Sequence, residues 1–301
     1  MGGPSEPDGD TVAWRSLLAL ARQRLADAGV SSPDSDARRI VEEASGLDGT
    51  GWVIGLDRPA TRRGVAHFDQ MLARCLAGEP LQYVLGRWGF RTLDLMVDAR
   101  VLIPRPETET VVDHALAELD RLRSASERRR LRVLDLGTGS GAIALSLAAE
   151  RDGLEVWATD VSVDALDVAR ANLAGLGMRG AAVRLALGSW FEAVPIELAG
   201  TLDLVISNPP YVAQSDPLPA EVADWEPTGA LMAGPMGTEW LHHLVSEAPR
   251  WLARPGVLVL ELAPHQGEPL VEAARRAGFD QAGVRTDLSG RVRALVARTV
   301  G

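Results

Sequence analysis

Asn208-Pro209-Pro210-Tyr211 is the stretch of this chain whose residue types most directly suggest chemistry. Neither proline has an N–H to donate, and the pair stiffens the loop. The side-chain oxygen of Asn208 and the carbonyl of Pro209 can therefore present two acceptors to one planar NH2 group. Tyr211, one of 2 tyrosines among 301 residues, adds a flat face on which an amide or a base stacks. Read alone, the segment is equally a Pro-Pro turn with an Asx-type start after a buried strand. Its place favours chemistry. It ends the apolar run Leu204-Val205-Ile206-Ser207, and ligands in open α/β sheets sit beyond the carboxyl ends of strands.

A second segment, Val133 to Gly141, reads as a strand running into a glycine turn and then a helix. Gly137, Gly139 and Gly141 let the backbone approach a ligand closely. The helix N-terminus after them supplies unpaired N–H groups. Asp160 closes the next predicted strand, where a carboxylate can accept both ribose hydroxyls of a nucleoside. Gly137, Gly139 and Ala142 also fit the G-x-G-x-x-A dinucleotide fingerprint, so the loop alone leaves NAD and S-adenosylmethionine open. The fourth strand favours the second. Nothing there resembles a hydride-transfer acid/base pair, whereas Asn208 to Tyr211 suit a nitrogen that accepts a methyl group.

The elements that must position these loops follow from periodicity. After residue 130 the chain alternates strand and helix, with strands predicted at 131–136, 155–160, 182–187, 202–207, 256–262, 280–286 and 292–298. Several are near-continuous Val/Leu/Ile runs, as a parallel sheet covered on both faces requires, and the last two suggest an antiparallel pair. This is a doubly wound α/β domain. Upstream, three apolar stripes read as helices: Trp14, Leu17, Leu18, Ala21 and Leu25; Ala37, Ile40, Val41 and Ala44; and Val65, Phe68, Met71, Leu72, Cys75 and Leu76. Asp10 or Thr11 is available to cap the first. The expected organisation is a disordered tail over 1–10, a helical domain over 11–80, a β-hairpin connector over 81–108 and the α/β domain over 109–301. Thr108 is a candidate cap for a helix starting near Glu109, and Arg105, Thr108 and Glu109 are either an ion-paired helix start or contacts to cofactor or substrate.

Composition removes several classes. With 46% hydrophobic and 24% charged residues the chain can bury a core, and no apolar run approaches the roughly 18 residues of a membrane span. The net charge is −10 and every basic residue is arginine, which excludes a lysine Schiff base or a phosphate-binding lysine. One cysteine, Cys75, allows no internal disulfide, and its place on an apolar stripe reads as packing. No basic, then apolar, signal segment is visible, so a cytoplasmic location is expected. The run Arg128-Arg129-Arg130 with Arg132 reads as a solvated linker rather than an RNA contact. His242 and His243 are adjacent, so they cannot share a helix face, and no metal is expected.

Together the glycine loop, Asp160 and Asn208-Pro209-Pro210-Tyr211 resemble class I S-adenosylmethionine methyltransferases that act on amide or exocyclic nitrogen. Further segments narrow the resemblance to the HemK/PrmC family. They are Gly78 to Gly86, Val101 to Glu109, Ser189-Trp190-Phe191, Glu226-Pro227 and Asp287-Leu288-Ser289-Gly290, in family order from about residue 14 to 298. That family methylates the N5 of a glutamine, in a Gly-Gly-Gln segment, of peptide-chain release factors. The resemblance implies a Rossmann-like, mostly parallel seven-stranded sheet. It implies S-adenosylmethionine as cofactor, S-adenosylhomocysteine as product, no metal, no direct nucleic-acid binding, no membrane, and a monomer. It assigns the cofactor to Gly137, Thr138, Gly139, Ser140, Gly141, Asp160, Trp190 and Asn208. It assigns the substrate amide to Asn208, Pro209, Pro210 and Tyr211, with Asn208, Pro209 and Tyr211 catalytic, and gives the helical domain the release factor to grip.

Three positions depart from the family pattern: Ser189 for an acid, Met236 for an aspartate and Ala263 for a glycine. Two rivals remain. A DNA adenine-N6 methyltransferase uses the same tetrapeptide but needs a basic surface that this acidic chain lacks. A non-catalytic cofactor-binding, translation-associated protein does not need the tetrapeptide intact.

Overall fold

The computed structural model describes residues 12–125 and 130–301. The expected tail over 1–10, the candidate caps Asp10 and Thr11, and Arg128-Arg129 lie outside the described residues. The chain forms two units, Met1–Gly86 and Arg87–Gly301.

The first unit is helical: α1 (Trp14–Asp27), α2 (Pro33–Ser45), α3 (Gly49–Gly55), α4 (Arg62–Leu76) and α5 (Leu81–Leu85). The predicted stripes of α1, α2 and α4 meet in one apolar cluster around Leu25, Ile40 and Phe68. Cys75 lies in the same cluster, and burial pushes its thiol up to about 12, so it is inert at neutral pH. Two helices escape the periodicity. α3 contains three glycines in seven residues, a composition that reads as loop. The segment over 81–85, which the sequence assigns to the start of the β-hairpin connector, is a helix. Leu81 and Val84, three residues apart, bury one side of it. Arg74 donates to the terminal carbonyls of Val84 at 3.1 Å and Tyr83 at 3.2 Å. Five residues are too few for a stripe to declare itself in sequence.

The second unit opens with a hairpin, β1 (Arg87–Phe90) and β2 (Leu93–Met96), and then α6 (Pro106–Ser124). Its sheet-forming run is β3 (Leu131–Leu136), α7 (Ala142–Glu150), β4 (Leu154–Asp160), α8 (Val163–Gly175), β5 (Val183–Leu187) and β6 (Leu202–Ser207). A short pair, β7 (Val212–Ala213) and β8 (Met232–Gly234), flanks α9 (Ala220–Trp225). The chain closes with α10 (Glu239–Trp251), β9 (Leu252–Glu261), α11 (Gly267–Arg276), β10 (Gln281–Thr286) and β11 (Val292–Thr299). The seven strands lie in the order β10-β11-β9-β6-β3-β4-β5, parallel except for β11. Alternate residues of one strand enter opposite cores. Val133 faces α6 and α7, whereas Leu134 faces α10 and α11. That double burial is why these strands read as unbroken apolar runs.

The chain order reverses about β3, which is flanked by β4 and β6, so the ligand crevice opens at its carboxyl end. Leu136 pairs with Ser207, and Ser207 pairs with Leu260. Gly137, Asn208 and Glu261 therefore leave three adjacent strands at one level. The Ser207 hydroxyl donates to the Leu136 carbonyl at 2.6 Å, tying two of those exits together. Among the described residues no helix is long and apolar enough to cross a membrane.

Candidate active site

The glycine loop folds as a cradle. Gly137, Gly139 and Gly141 have φ of 71°, 55° and 86°, the left-handed region that favours glycine. The loop is held by its own hydrogen bonds: Thr138 N–H to the Thr159 carbonyl at 2.8 Å and Gly141 N–H to the Thr138 carbonyl at 2.8 Å. Asp160, at the end of β4, accepts from Gly139 N–H at 2.9 Å and from Ser162 N–H at 2.9 Å, and it stays half-exposed. Asn172 of α8 donates to the Ser140 carbonyl at 2.8 Å and bonds both backbone groups of Met96, so the hairpin braces the loop. No heavy atom occupies the space a side chain would take at Gly139. A nucleoside fits the open space at Gly139, with the Asp160 carboxylate at its rim.

Trp190 lies beside the cradle, its ring 3.7 Å from where a Cβ of Gly137 would stand. Its φ is 45°, a conformation that bulky residues rarely adopt and that clusters at ligand sites. The ring packs on Trp240, with centroids 5.2 Å apart, and His243 sits 6.5 Å away. Among the described residues no group of three or more His, Cys, Asp or Glu is arranged to hold a metal.

Beneath the loop, Asp135 is fully buried. Its Oδ2 accepts from the Thr138 hydroxyl at 2.6 Å and from Ala144 N–H at 3.1 Å, while Oδ1 has no partner among the described residues. Burial pushes the carboxyl up to about 7. The folded chain then holds a proton that the unfolded chain gives up near 3.8, so stability falls as pH rises between these values. Asp135→Asn should flatten that decline, visible as a smaller drop in melting temperature from pH ~5 to ~8 than in the wild type.

On the other side of the crevice Asn208 is half-buried and Pro209 buried. Asn208 Nδ2 donates to the Thr108 hydroxyl oxygen at 3.3 Å. Thr108 donates to Glu261 Oε2 at 2.7 Å, and the Tyr211 hydroxyl donates to Glu261 Oε1 at 3.1 Å. Thr108 is thus no helix cap. α6 begins at Pro106 with no side-chain cap, and Thr108 turns inward from its first turn to the site. Burial pushes the Glu261 carboxyl up to about 7 and raises the Tyr211 phenol as well. In the sequence Glu261 reads as part of the apolar strand 256–262. The signal available was an acid closing the run Val257 to Leu260, at the same sheet edge as Asp160.

Two buried side chains tie segments near the site together. Gln266 Nε2 donates to the carbonyls of Tyr211 at 2.9 Å and Gly237 at 3.0 Å, and its Oε1 accepts from Ala263 N–H at 2.9 Å. Glu226 accepts from Ile103 N–H at 3.1 Å and from Arg105, joining the segment before α6 to the one after α9. Arg105 is therefore an ion-pair partner. Glu109 accepts from Arg91 N–H at 2.8 Å and likewise serves the fold. Gly237 has φ 73°, and a Cβ there would stand 2.8 Å from Ala213 N and 2.9 Å from the Tyr211 carbonyl. Gly237→Ala should cost about 1–3 kcal/mol in chemical denaturation and lower activity with it. Of the departures from the family pattern, Ser189 and Met236 are exposed, and Ala263 bonds Gln266 through its backbone.

A three-layer α/β unit with a glycine cradle and an Asn-Pro-Pro-Tyr loop on adjacent strand ends has the architecture of a methyltransferase. Solved structures agree on the fold. The hMettl16 catalytic domain in complex with MAT2A 3'UTR hairpin 1 superposes with a TM-score of 0.53 at 18% identity, over 78% of this chain and 81% of that one. The same domain with hairpin 6 gives 0.52, over 78% and 84%. Residues 16–86 match the PrmC N-terminal domain, and residues 112–222 match the methyltransferase small domain. A release factor glutamine methyltransferase of Rhodospirillum rubrum is 36% identical over 99% of this chain and 88% of its own length. Those of Xylella fastidiosa and Deinococcus radiodurans are 40% and 39% identical, over 95% of this chain and 98% and 99% of theirs. The chain belongs to the release factor glutamine methyltransferase family.

Proposed function

We propose that this chain transfers a methyl group from S-adenosylmethionine to the side-chain amide nitrogen of the glutamine in the Gly-Gly-Gln segment of peptide-chain release factors. The observation that carries the reading is the orientation of Asn208. Its Nδ2 is committed to Thr108, so its Oδ1 is left to accept from an incoming NH2, with the Pro209 carbonyl as second acceptor. An amide nitrogen is a weak nucleophile because its lone pair is delocalised into the carbonyl. Acceptors on both N–H bonds favour the pyramidal nitrogen and aim its freed lone pair. Tyr211, held by Glu261, supplies a wall for the amide plane. When bound, S-adenosylmethionine supplies an electrophilic methyl group and leaves as a neutral thioether. Gly137 to Gly141 would hold its methionine part, Asp160 its ribose and Trp190 the region of its adenine. The methylated nitrogen sheds its proton to solvent, since both oxygens of Glu261 are occupied by hydroxyls.

In this reading the helical unit grips the release factor, and the enzyme works as a cytoplasmic monomer. The test mixes purified protein, S-adenosylmethionine and release factors of the same organism, and reads peptide masses. A gain of one CH2 on the glutamine of Gly-Gly-Gln is expected. Methylation of duplex DNA adenine instead, or cofactor binding with no methylated release factor, would sink the proposal.

A further inference from the structure

We infer that Glu261, acting through Thr108, is the positioning residue that sets which end of the Asn208 amide faces the substrate. The inference rests on the function proposed above and assigns a residue behind the tetrapeptide. A hydroxyl has one proton to give. That of Thr108 goes to Glu261 Oε2 at 2.7 Å, so its oxygen is left only to accept. The group facing that oxygen must be a donor, and Asn208 meets it with Nδ2 at 3.3 Å. Oδ1 is thereby turned to the other side, ready to accept. The second oxygen of Glu261 fixes Tyr211 in the same way at 3.1 Å, so one buried carboxylate orders both polar members of the tetrapeptide.

The relay works in one charge state. A protonated Glu261 can donate to Thr108, whose proton is then free to point at Asn208 and bind Oδ1. The amide flips, and Nδ2 meets the substrate NH2, donor against donor. Burial, which raises Glu261 to about 7, puts this change near neutral pH. The groups facing it are Thr108 and Glu107 of α6, Tyr211, and Arg293 of β11. Arg293 is anchored by Asp287 at 3.1 Å and lies 3.5 Å from Glu107. The Asp287-Leu288-Ser289-Gly290 turn, on which Asp287 also accepts from Ser289 and Arg291, thus holds the cation that favours ionised Glu261.

The experiment compares wild type, Thr108→Val, Thr108→Ser and Glu261→Gln on release factor. It measures kcat and KM from pH ~5.5 to ~8.5, with cofactor affinity by calorimetry. Thr108→Val should lower kcat about 10- to 100-fold and leave KM for the release factor within about twofold; Thr108→Ser should recover most of it. Wild-type kcat should rise along an acid limb near neutrality that Glu261→Gln lacks. A Thr108→Val enzyme with wild-type kcat, Val and Ser variants equally impaired, or a wild-type profile flat across neutrality would each overturn the inference. Nuclear magnetic resonance of the Asn208 side-chain amide, in the free protein, reads the relay without turnover. A protected amide proton, lost in Thr108→Val, is expected; an Asn208 signal that Thr108→Val leaves unchanged would refute the relay. If no release factor is methylated, the proposed function falls, and the amide signal still decides this point.

Discussion

Asn208→Ala should lower kcat for release factor methylation by about 10²–10³-fold while the protein keeps its fold. In the proposed reading the side chain supplies one of the two acceptors that hold the reacting NH2, and its substitution leaves that N–H without a partner. Such preorganised contacts act where charge develops, so their loss appears in kcat more than in KM. The fold is spared because the only bond of Asn208 to another side chain among the described residues is the 3.3 Å contact with Thr108. Thr108 keeps its stronger bond to Glu261. Single-turnover kinetics on a release factor would check this. A loss confined to KM would mean that Asn208 binds substrate without aligning it.

Asp160→Ala should weaken S-adenosylmethionine binding by about 10²–10³-fold, measured by calorimetry, with Asp160→Asn intermediate. Two causes add. In the proposed reading this carboxylate accepts from the ribose hydroxyls, and hydrogen bonds to charged groups contribute about 1.5–3 kcal/mol each. The same carboxylate also holds Gly139 N–H at 2.9 Å, so its removal loosens the cradle itself. An Asp160→Ala protein that binds cofactor as wild type does would place the ribose elsewhere.

Long, fully buried elements were legible in the sequence, because burial on both faces writes an apolar run of the right length. β3, β6 and β11 begin where the Val/Leu/Ile pattern begins, and the antiparallel ending of the sheet follows from the short span between β10 and β11. Elements decided by tertiary partners were not legible. α5 depends on Arg74 capping its carbonyls, and α3 is a glycine-rich segment that periodicity cannot detect. At the site, residues recognised by type and motif stand together at the strand ends, from Gly137 to Gly141 and from Asn208 to Tyr211. Thr108 is a site candidate in the sequence, but its partnership with Glu261 escaped for a physical reason. Thr108 and Glu261 are 153 positions apart and become partners only when α6 lies against the end of β9. Gln266, likewise, reads as an ordinary polar residue until its three bonds around Tyr211 are seen.

The cradle between Gly137 and Gly141 is held by its own backbone bonds and by Asp160. That arrangement has a consequence for solvent exchange. The amide hydrogens of Thr138, Gly139 and Gly141 are each engaged, although the loop lies at the surface of a crevice. They should exchange with deuterated water as slowly as amides of the neighbouring strands, not as fast as those of an open loop. A ligand entering such a loop has little chain to order, so its affinity is not diminished by a folding step.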